Sequence, residues 1–80
     1  MRYVYILKLN NGKFYTGSTD SLKQRLVDHN QGKCQTTTKK RPVKIVWYCA
    51  FDKNKIALTF EKYLKSGSGI AFRNKHLINK

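Results

Sequence analysis

Acidic residues are scarce in this chain, and one of them is a candidate metal ligand. The 80 residues include 17 Lys and Arg but only 4 Asp and Glu, for a formal net charge of +13. Asp20 and Asp52 precede predicted helices and are interpreted as caps, and Asp28 is interpreted as a solvated helix residue. Glu61, the only glutamate, lies inside a predicted helix at the edge of its apolar stripe. Two interpretations stay open: a surface ion pair with Lys65, or a carboxylate that holds Mg²⁺ together with water and substrate phosphate.

A second pair of candidate residues lies on the first predicted helix. Arg25 and His29 are spaced i,i+4 and therefore project from the same side of that helix. An arginine there can hold a scissile phosphate through two parallel hydrogen bonds and stabilise transition-state charge. A histidine there can act as a general acid or base near neutral pH. Taken singly, each is better explained as inert, the Arg25 stem lying over the core and His29 being partly exposed.

Two tyrosines on consecutive predicted strands, Tyr5 and Tyr15, can share a site only in one hairpin register. Taken singly, each is better explained as a core aromatic. A two-residue loop at Asn11-Gly12 would place Tyr15 opposite Lys8, with Tyr5 on the other side of the sheet. A three-residue loop, with Gly12 left-handed in a bulge, would place Tyr15 opposite Leu7 and bring both phenols to one face. We predict the bulged loop.

The hydrophobic pattern predicts an α/β (α+β) fold in which helices flank a three-stranded antiparallel sheet, in the order β-β-α-β-α-α. Tyr3–Leu9 is almost wholly apolar, which predicts a central strand covered on both faces. Gly17, within the return strand, indicates close approach of another backbone or a ligand. Helices are predicted from the polar segment 18–21 to about Gln31, from Asn54 to Ser66, and after Gly67–Gly69, where the chain breaks and Ser68 caps the last helix. One face of the third strand is predicted to carry Val43, Ile45, Trp47, Cys49 and Phe51.

The composition predicts a single domain over residues 1–80 with a polyanionic partner. The sequence has no membrane-spanning apolar run, its N-terminal apolar run is too short for us to expect a signal peptide, and its two cysteines form no CxxC motif. We therefore expect a cytoplasmic protein with reduced thiols and no membrane association. Basic side chains are candidate contacts to backbone phosphates, which position nucleic acid without reading its sequence: Lys39, Lys40, Arg41, Arg73 and Lys75.

These residues, taken in order, resemble the GIY-YIG nuclease superfamily. Tyr3-Val4-Tyr5 and Tyr15-Thr16-Gly17 match its two tripeptide motifs, and Arg25, His29 and Glu61 follow in the expected order. Each tripeptide is a weak signal, but the ordered set spans nearly the whole chain. The first motif departs from Gly-Ile-Tyr, and Ser18 stands where some members have a lysine. The chain looks most like the small stand-alone bacterial members, which are similar to the N-terminal nuclease domain of the excinuclease C subunit.

The resemblance implies cleavage of DNA phosphodiester bonds with the help of one divalent ion, Mg²⁺ or Mn²⁺. It implies that Glu61 holds the ion and that Arg25 contacts the scissile phosphate. Tyr5 and Tyr15 would line the site, one of them activating or positioning water, and His29 would assist proton transfer. Gly17 would be the glycine of the second motif. DNA is the implied substrate, and the kind of DNA that is cut stays open; structured or damaged DNA and other repair proteins are candidate partners.

Two other classes of function stay open. A nucleic-acid-binding module without cleavage would use the same basic groove, although a carboxylate in a cationic groove weakens phosphate binding. A structural component of a ribosomal or nucleoid assembly would bind unselectively and would need no metal. Both alternatives leave the spacing of the tyrosines, the arginine and the glutamate unexplained.

Overall fold

The chain folds into a three-stranded antiparallel sheet flanked by helices, as the sequence predicts. The computed structural model describes residues 1–33 and 41–78. The elements are β1 (Arg2–Lys8), β2 (Phe14–Thr19), α1 (Leu22–Asn30), β3 (Lys44–Phe51), α2 (Asn54–Leu64) and α3 (Gly67–Phe72), and α3 continues into a π-helical turn (Arg73–Leu77). The predicted order β-β-α-β-α-α and the α+β class are confirmed. Within the described ranges, every helix is too short or too polar to cross a membrane.

Strand β1 is the centre of the sheet, between β2 and β3. Its side chains alternate between two small cores, so the apolar run lacks a polar face. Val4 and Ile6 pack against α2, on what we call the α2 face. Tyr5 and Leu7 pack on the opposite side with residues of α1, on what we call the α1 face. Every residue opposite one of these positions can therefore be assigned to a face from the strand register.

The hairpin between β1 and β2 has the predicted three-residue loop. The backbone N–H of Leu9 donates to the carbonyl of Lys13 at 2.8 Å, and that of Gly12 donates to the carbonyl of Leu9 at 3.0 Å. Gly12 has a φ of 83°, a left-handed conformation in which glycine avoids the penalty of a Cβ. Tyr15 consequently lies opposite Leu7. The prediction that both motif tyrosines share one face is confirmed.

The prediction of one continuous apolar face on β3 is wrong. Ile6 pairs with Trp47, whereas the next residue, Leu7, pairs with Ile45. Val46 is the extra residue of a β-bulge, and such a residue switches the faces to which its neighbours point. Two of the predicted residues therefore lie on the α1 face and three on the α2 face: Val43 and Ile45, then Trp47, Cys49 and Phe51.

The two aspartates that the sequence assigns to helix caps do not cap. Helix α1 begins after Ser21 and helix α2 begins after Lys53, and in neither case does the residue before the helix make a side-chain capping bond. Asp20 and Asp52 each lie one residue too early to meet the first free N–H groups of the helix. The predicted polar segment 18–21 does include Ser21, the residue at the N-cap position of α1, whereas Lys53 at the start of α2 was not predicted.

The junction between α2 and α3 also differs from the prediction. Helix α2 ends at Leu64, and Ser66, rather than Ser68, caps α3 by accepting a hydrogen bond from the N–H of Gly69 at 3.1 Å. The segment Gly67–Gly69 is therefore the first turn of α3 and not a break. Gly69 is buried against the backbone of α2. The two helices are so close here that a Cβ on residue 69 would collide with the carbonyl of Tyr63.

Candidate active site

Tyr5, Tyr15 and His29 form one aromatic cluster on the α1 face. The Tyr5 hydroxyl lies 3.2 Å from Nε2 of His29. The His29 ring meets the Tyr15 ring edge-on, with centroids 5.3 Å apart, and the two phenol rings are 6.5 Å apart. Tyr5 and His29 are only 2% and 1% exposed, whereas Tyr15 is half-buried. Tyr15 is thus the member of the cluster that solvent and a ligand can reach most easily.

The burial of His29 contradicts its interpretation as a partly exposed helix residue. The Tyr5 hydroxyl provides a polar partner inside the core, which a buried imidazole needs. Burial lowers the pKa of His29 from 6.5, the charge of Arg25 lowers it further, and Asp28 opposes the shift. The imidazole is therefore neutral at neutral pH, where unprotonated Nε2 can accept the hydrogen bond from Tyr5.

Gly17 makes room for the Tyr5 phenol. It lies opposite Tyr5 in the β1–β2 register. A Cβ at this position would lie 2.5 Å from the Tyr5 hydroxyl oxygen and 3.1 Å from a ring carbon of Tyr15. The sequence predicted an approach by another backbone or a ligand, but the approaching group is the side chain of Tyr5. The glycine therefore lets the phenol lean across β2 to reach His29.

Glu61 lies on the α2 face, held by a line of hydrogen bonds. The hydroxyl of Ser18 donates to Oε1 of Glu61 at 2.6 Å, and Nη2 of Arg2 lies 3.2 Å from the same hydroxyl and donates to it. Nζ of Lys65 donates to the other carboxylate oxygen at 2.9 Å. Sequence reasoning missed Arg2 and Ser18 as parts of the site. The register could have revealed them, because Ser18 is opposite Val4 and Arg2 is two residues before Val4 on the same face.

The carboxylate of Glu61 is ionised at neutral pH. Burial by itself would raise its pKa, but hydrogen bonds from Lys65 and Ser18 and the charges of Lys65 and Arg2 outweigh burial and lower the pKa from 4.5. The ion pair that the sequence offered as one interpretation of Glu61 is therefore present.

The surroundings of Glu61 also fit a hard divalent cation. The side chain of Lys65 is 53% exposed and that of Glu61 17% exposed, so the ammonium can leave while Ser18 keeps the carboxylate in place. No cluster of three or more His, Cys, Asp or Glu side chains forms within residues 1–33 and 41–78. A cation here would therefore take one carboxylate and complete its shell with water and substrate phosphate, which is how Mg²⁺ is commonly held.

Strand β2 connects the two halves of the site. Gly17 accommodates Tyr5 on the α1 face, and the next residue, Ser18, binds Glu61 on the α2 face, because successive strand residues point to opposite sides. Strand β2 is at an edge of the sheet. Arg25 borders a groove of about 210 Å³ beside the end of β2. Glu61 borders a groove of about 370 Å³ that is also lined by Lys55, Lys62 and Lys65. Both grooves adjoin β2, one through Thr19 and the other through Glu61, which binds Ser18.

The predicted phosphate contacts lie in different surroundings. Arg41 donates to the carbonyl of Asn30 at 3.3 Å, at the end of α1. The guanidinium of Arg73 lies over the ring of Phe14 at 5.3 Å and donates to Asn74, while Lys75 is exposed. Lys39 and Lys40 lie outside the described residues, as does Cys34.

Comparison with known proteins places this fold in a known domain family. The model of the GIY-YIG catalytic domain matches residues 1–73, and the chain belongs to the GIY-YIG domain family. A UPF0213 protein of Clostridium perfringens is 41% identical over 66 residues, which cover 81% of this chain and 71% of the relative. A UPF0213 protein of Staphylococcus saprophyticus is 37% identical, with 82% of each chain covered. The solution NMR structure of a UPF0213 protein from Bacillus halodurans matches with a TM-score of 0.52 at 34% identity, covering 81% of this chain and 71% of that one.

Proposed function

We propose that this chain is a single-domain, metal-dependent endonuclease that hydrolyses DNA phosphodiester bonds at the edge of β2. Its proposed setting is the repair of structured or damaged DNA in the cytoplasm, with other repair proteins as partners. Membership of the GIY-YIG family supports the nuclease activity. The observation that carries the proposal is the ionised Glu61 in a lysine-lined groove, held by Ser18 next to the residue that accommodates Tyr5.

The basic residues of the two grooves are proposed to bind and orient the substrate. Arg25 is proposed to hold the scissile phosphate with two parallel hydrogen bonds and to stabilise the charge that develops on it. Lys55 and Lys62, which border the same groove as Glu61, would hold the neighbouring phosphates. Glu61 is the proposed ligand of Mg²⁺ or Mn²⁺, which when bound would polarise the phosphate and neutralise negative charge.

Proton transfer falls to the aromatic cluster. Hydrolysis forms a bond from a water oxygen to phosphorus and breaks the bond from phosphorus to a sugar oxygen. Tyr15, the accessible phenol, is proposed to orient the water and to relay its proton to the neutral imidazole of His29, which is itself too buried to meet the water. The leaving oxygen takes a proton from solvent. Tyr5 is a positioning residue, since it is buried and acts through His29.

The Lys65–Glu61 ion pair favours one alternative, a nucleic-acid-binding module that does not cleave. In that case the ammonium would neutralise the carboxylate permanently, and the groove would bind phosphate without a metal. The two functions differ in their response to a chelator, because binding by lysines and arginines needs no divalent ion.

A cleavage assay on labelled duplex, flap, junction and single-stranded DNA tests the proposal. We expect cuts in Mg²⁺ or Mn²⁺, none in EDTA, and a loss of roughly 10²–10³-fold in rate for Arg25→Ala, as when one group that stabilises the transition state is removed. The exposed Lys23→Ala on the same helix is the matched control for lost positive charge. Binding to all four substrates without cleavage in any metal would favour the binding module.

A further inference from the structure

One aromatic side chain of the sheet is left largely uncovered beside the proposed active site. Tyr48, in the middle of β3, is 58% exposed. It lies directly opposite Tyr5 and therefore on the α1 face. The Tyr5 phenol leans the other way, over Gly17. Tyr48 rests instead against Tyr3, edge to face, with ring centroids 6.5 Å apart. The contact holds the Tyr48 ring while more than half of the residue stays open to solvent.

The position of this tyrosine connects it to the phosphate side of the site. Thr19 borders the same groove as Arg25 and lies opposite Tyr3 in the β1–β2 register. Tyr3 in turn contacts Tyr48. Because neighbouring strands are about 4.8 Å apart, Tyr48 lies roughly 10 Å across the sheet from β2. A nucleotide next to a phosphate held by Arg25 can therefore extend across the sheet to Tyr48.

The charge and shape of the surface around Tyr48 indicate which ligand would bind there. The net charge of +13 attracts a polyanion, and an open aromatic ring on a sheet offers a flat apolar face. Unpaired nucleobases stack on aromatic side chains in this way, whereas paired bases are already stacked within their duplex. The group that combines a flat apolar ring with negative charge is an unpaired nucleotide.

We infer that Tyr48, supported by Tyr3, is a stacking site for an unpaired base next to the phosphate that is cut. The preferred substrate class is then DNA with single-stranded nucleotides beside the cut, such as a flap, a gap or a junction, rather than continuous duplex. The position of the cut rests on the proposed function, but the stacking itself does not.

The test is a binding measurement with Glu61→Gln protein in EDTA, so that cleavage plays no part. Fluorescence anisotropy would compare a labelled single strand with a blunt duplex of equal length. In the Glu61→Gln background, the further substitution Tyr48→Ala should weaken binding of the single strand about tenfold and binding of the duplex less than twofold. Tyr48→Phe in the same background should leave both affinities unchanged. Tyr63→Ala is the matched control, because Tyr63 is 42% exposed but lies on α2, which packs on the opposite face of the sheet from Tyr48.

A fluorescent base gives a second readout. The emission of 2-aminopurine in the single strand should be quenched on binding and should regain intensity with Tyr48→Ala at saturating protein. Equal loss of affinity for both DNAs, no loss for either, or quenching that persists in Tyr48→Ala would overturn the inference. Cleavage by wild type with no effect of Tyr48→Ala would leave the nuclease intact and remove the stacking site. If Tyr48→Ala selectively weakens single-strand binding but the wild-type protein never cleaves, the stacking site stands and the nuclease proposal fails.

Discussion

At the residue scale, the pairing of Tyr5 with His29 determines how the aromatic cluster works. An imidazole inside a strongly cationic protein is stable when it stays neutral and keeps a hydrogen-bond partner, and both conditions hold for His29. Because this pair is buried, it cannot meet a large substrate directly. We expect it to act through Tyr15, the half-buried phenol beside it.

Enlarging Gly17 tests this packing. In Gly17→Ala the new methyl group would meet the Tyr5 phenol, so we expect a loss of about 1–3 kcal/mol in the free energy of unfolding, as for other overpacked cores, together with slower cleavage. Tyr5→Phe removes only the hydroxyl but takes a hydrogen-bond partner from the buried Nε2 of His29, so it should cost about 1–3 kcal/mol. Urea titrations measure both. An unfolding free energy for Gly17→Ala within experimental error of wild type would contradict the packing described here.

The lowered pKa of His29 predicts that acid weakens the fold in a defined window. Below pH 6.5 the unfolded chain takes up a proton on this residue, whereas the folded chain does so only at lower pH. The unfolded state then binds more protons, so stability falls as the pH drops from 6.5 toward the folded pKa. Glu61 adds a further loss below pH 4.5, because its folded pKa is also lowered.

Unfolding free energies measured between pH 7.5 and pH 5 check this expectation, with His29→Gln as the comparison. The variant should be less stable at pH 7.5, yet its stability should change less across the range. The same pH slope in both proteins would show that His29 is not the group responsible.

At the element scale, the sequence was most informative where local chemistry decides the structure. The Asn10-Asn11-Gly12 loop and its left-handed glycine follow from turn chemistry, and the position of β1 in the sheet follows from its apolar run. The bulge at Val46 was not predictable, because it depends on pairing with β1 rather than on the β3 sequence. The predicted register already places Ser18 on the α2 face, but its contact to Glu61 depends on how α2 packs against the sheet.

The two glycines of α3 allow a matched comparison of helix packing. A Cβ at Gly69 would collide with the backbone of α2 at Tyr63, whereas a Cβ at Gly67 has no heavy atom within 4 Å. We therefore expect Gly69→Ala to destabilise the protein by about 1–3 kcal/mol. Gly67→Ala, in the same helix, should be neutral or slightly stabilising, since alanine favours helix over glycine. Thermal unfolding measures both, and equal melting temperatures would refute the close approach of α2 and α3.

At the scale of the whole molecule, positive charge favours binding and opposes folding. Seventeen basic residues repel one another in the compact state, and the same charges would attract the proposed DNA substrate. The grooves of Arg25 and Glu61 lie on either side of β2. The sequence could not predict this arrangement, because it depends on the packing of α1 and α2 against opposite faces of one sheet.

Salt should therefore act in opposite directions on stability and on binding. Raising NaCl from 20 to 200 mM should raise the melting temperature of the free protein, because it screens repulsion between charges. The same change should weaken DNA binding steeply, with a slope near −0.9 for each phosphate contact on a log–log plot. Calorimetry and anisotropy at matched salt concentrations measure the two responses. A melting temperature that falls with salt, or affinity independent of salt, would be at odds with charge as the main source of binding.

The most direct test of the nuclease is to remove the charge of Glu61 and keep its shape. Glu61→Gln preserves a side-chain oxygen for the Ser18 hydroxyl but loses the anion proposed to hold the metal. We predict that metal-dependent cleavage falls to background while DNA affinity stays equal or rises slightly. Asp52→Asn, which removes an exposed charge before α2, should cleave like wild type. Wild-type cleavage by Glu61→Gln would contradict a metal site at this residue and, with it, the proposed nuclease mechanism.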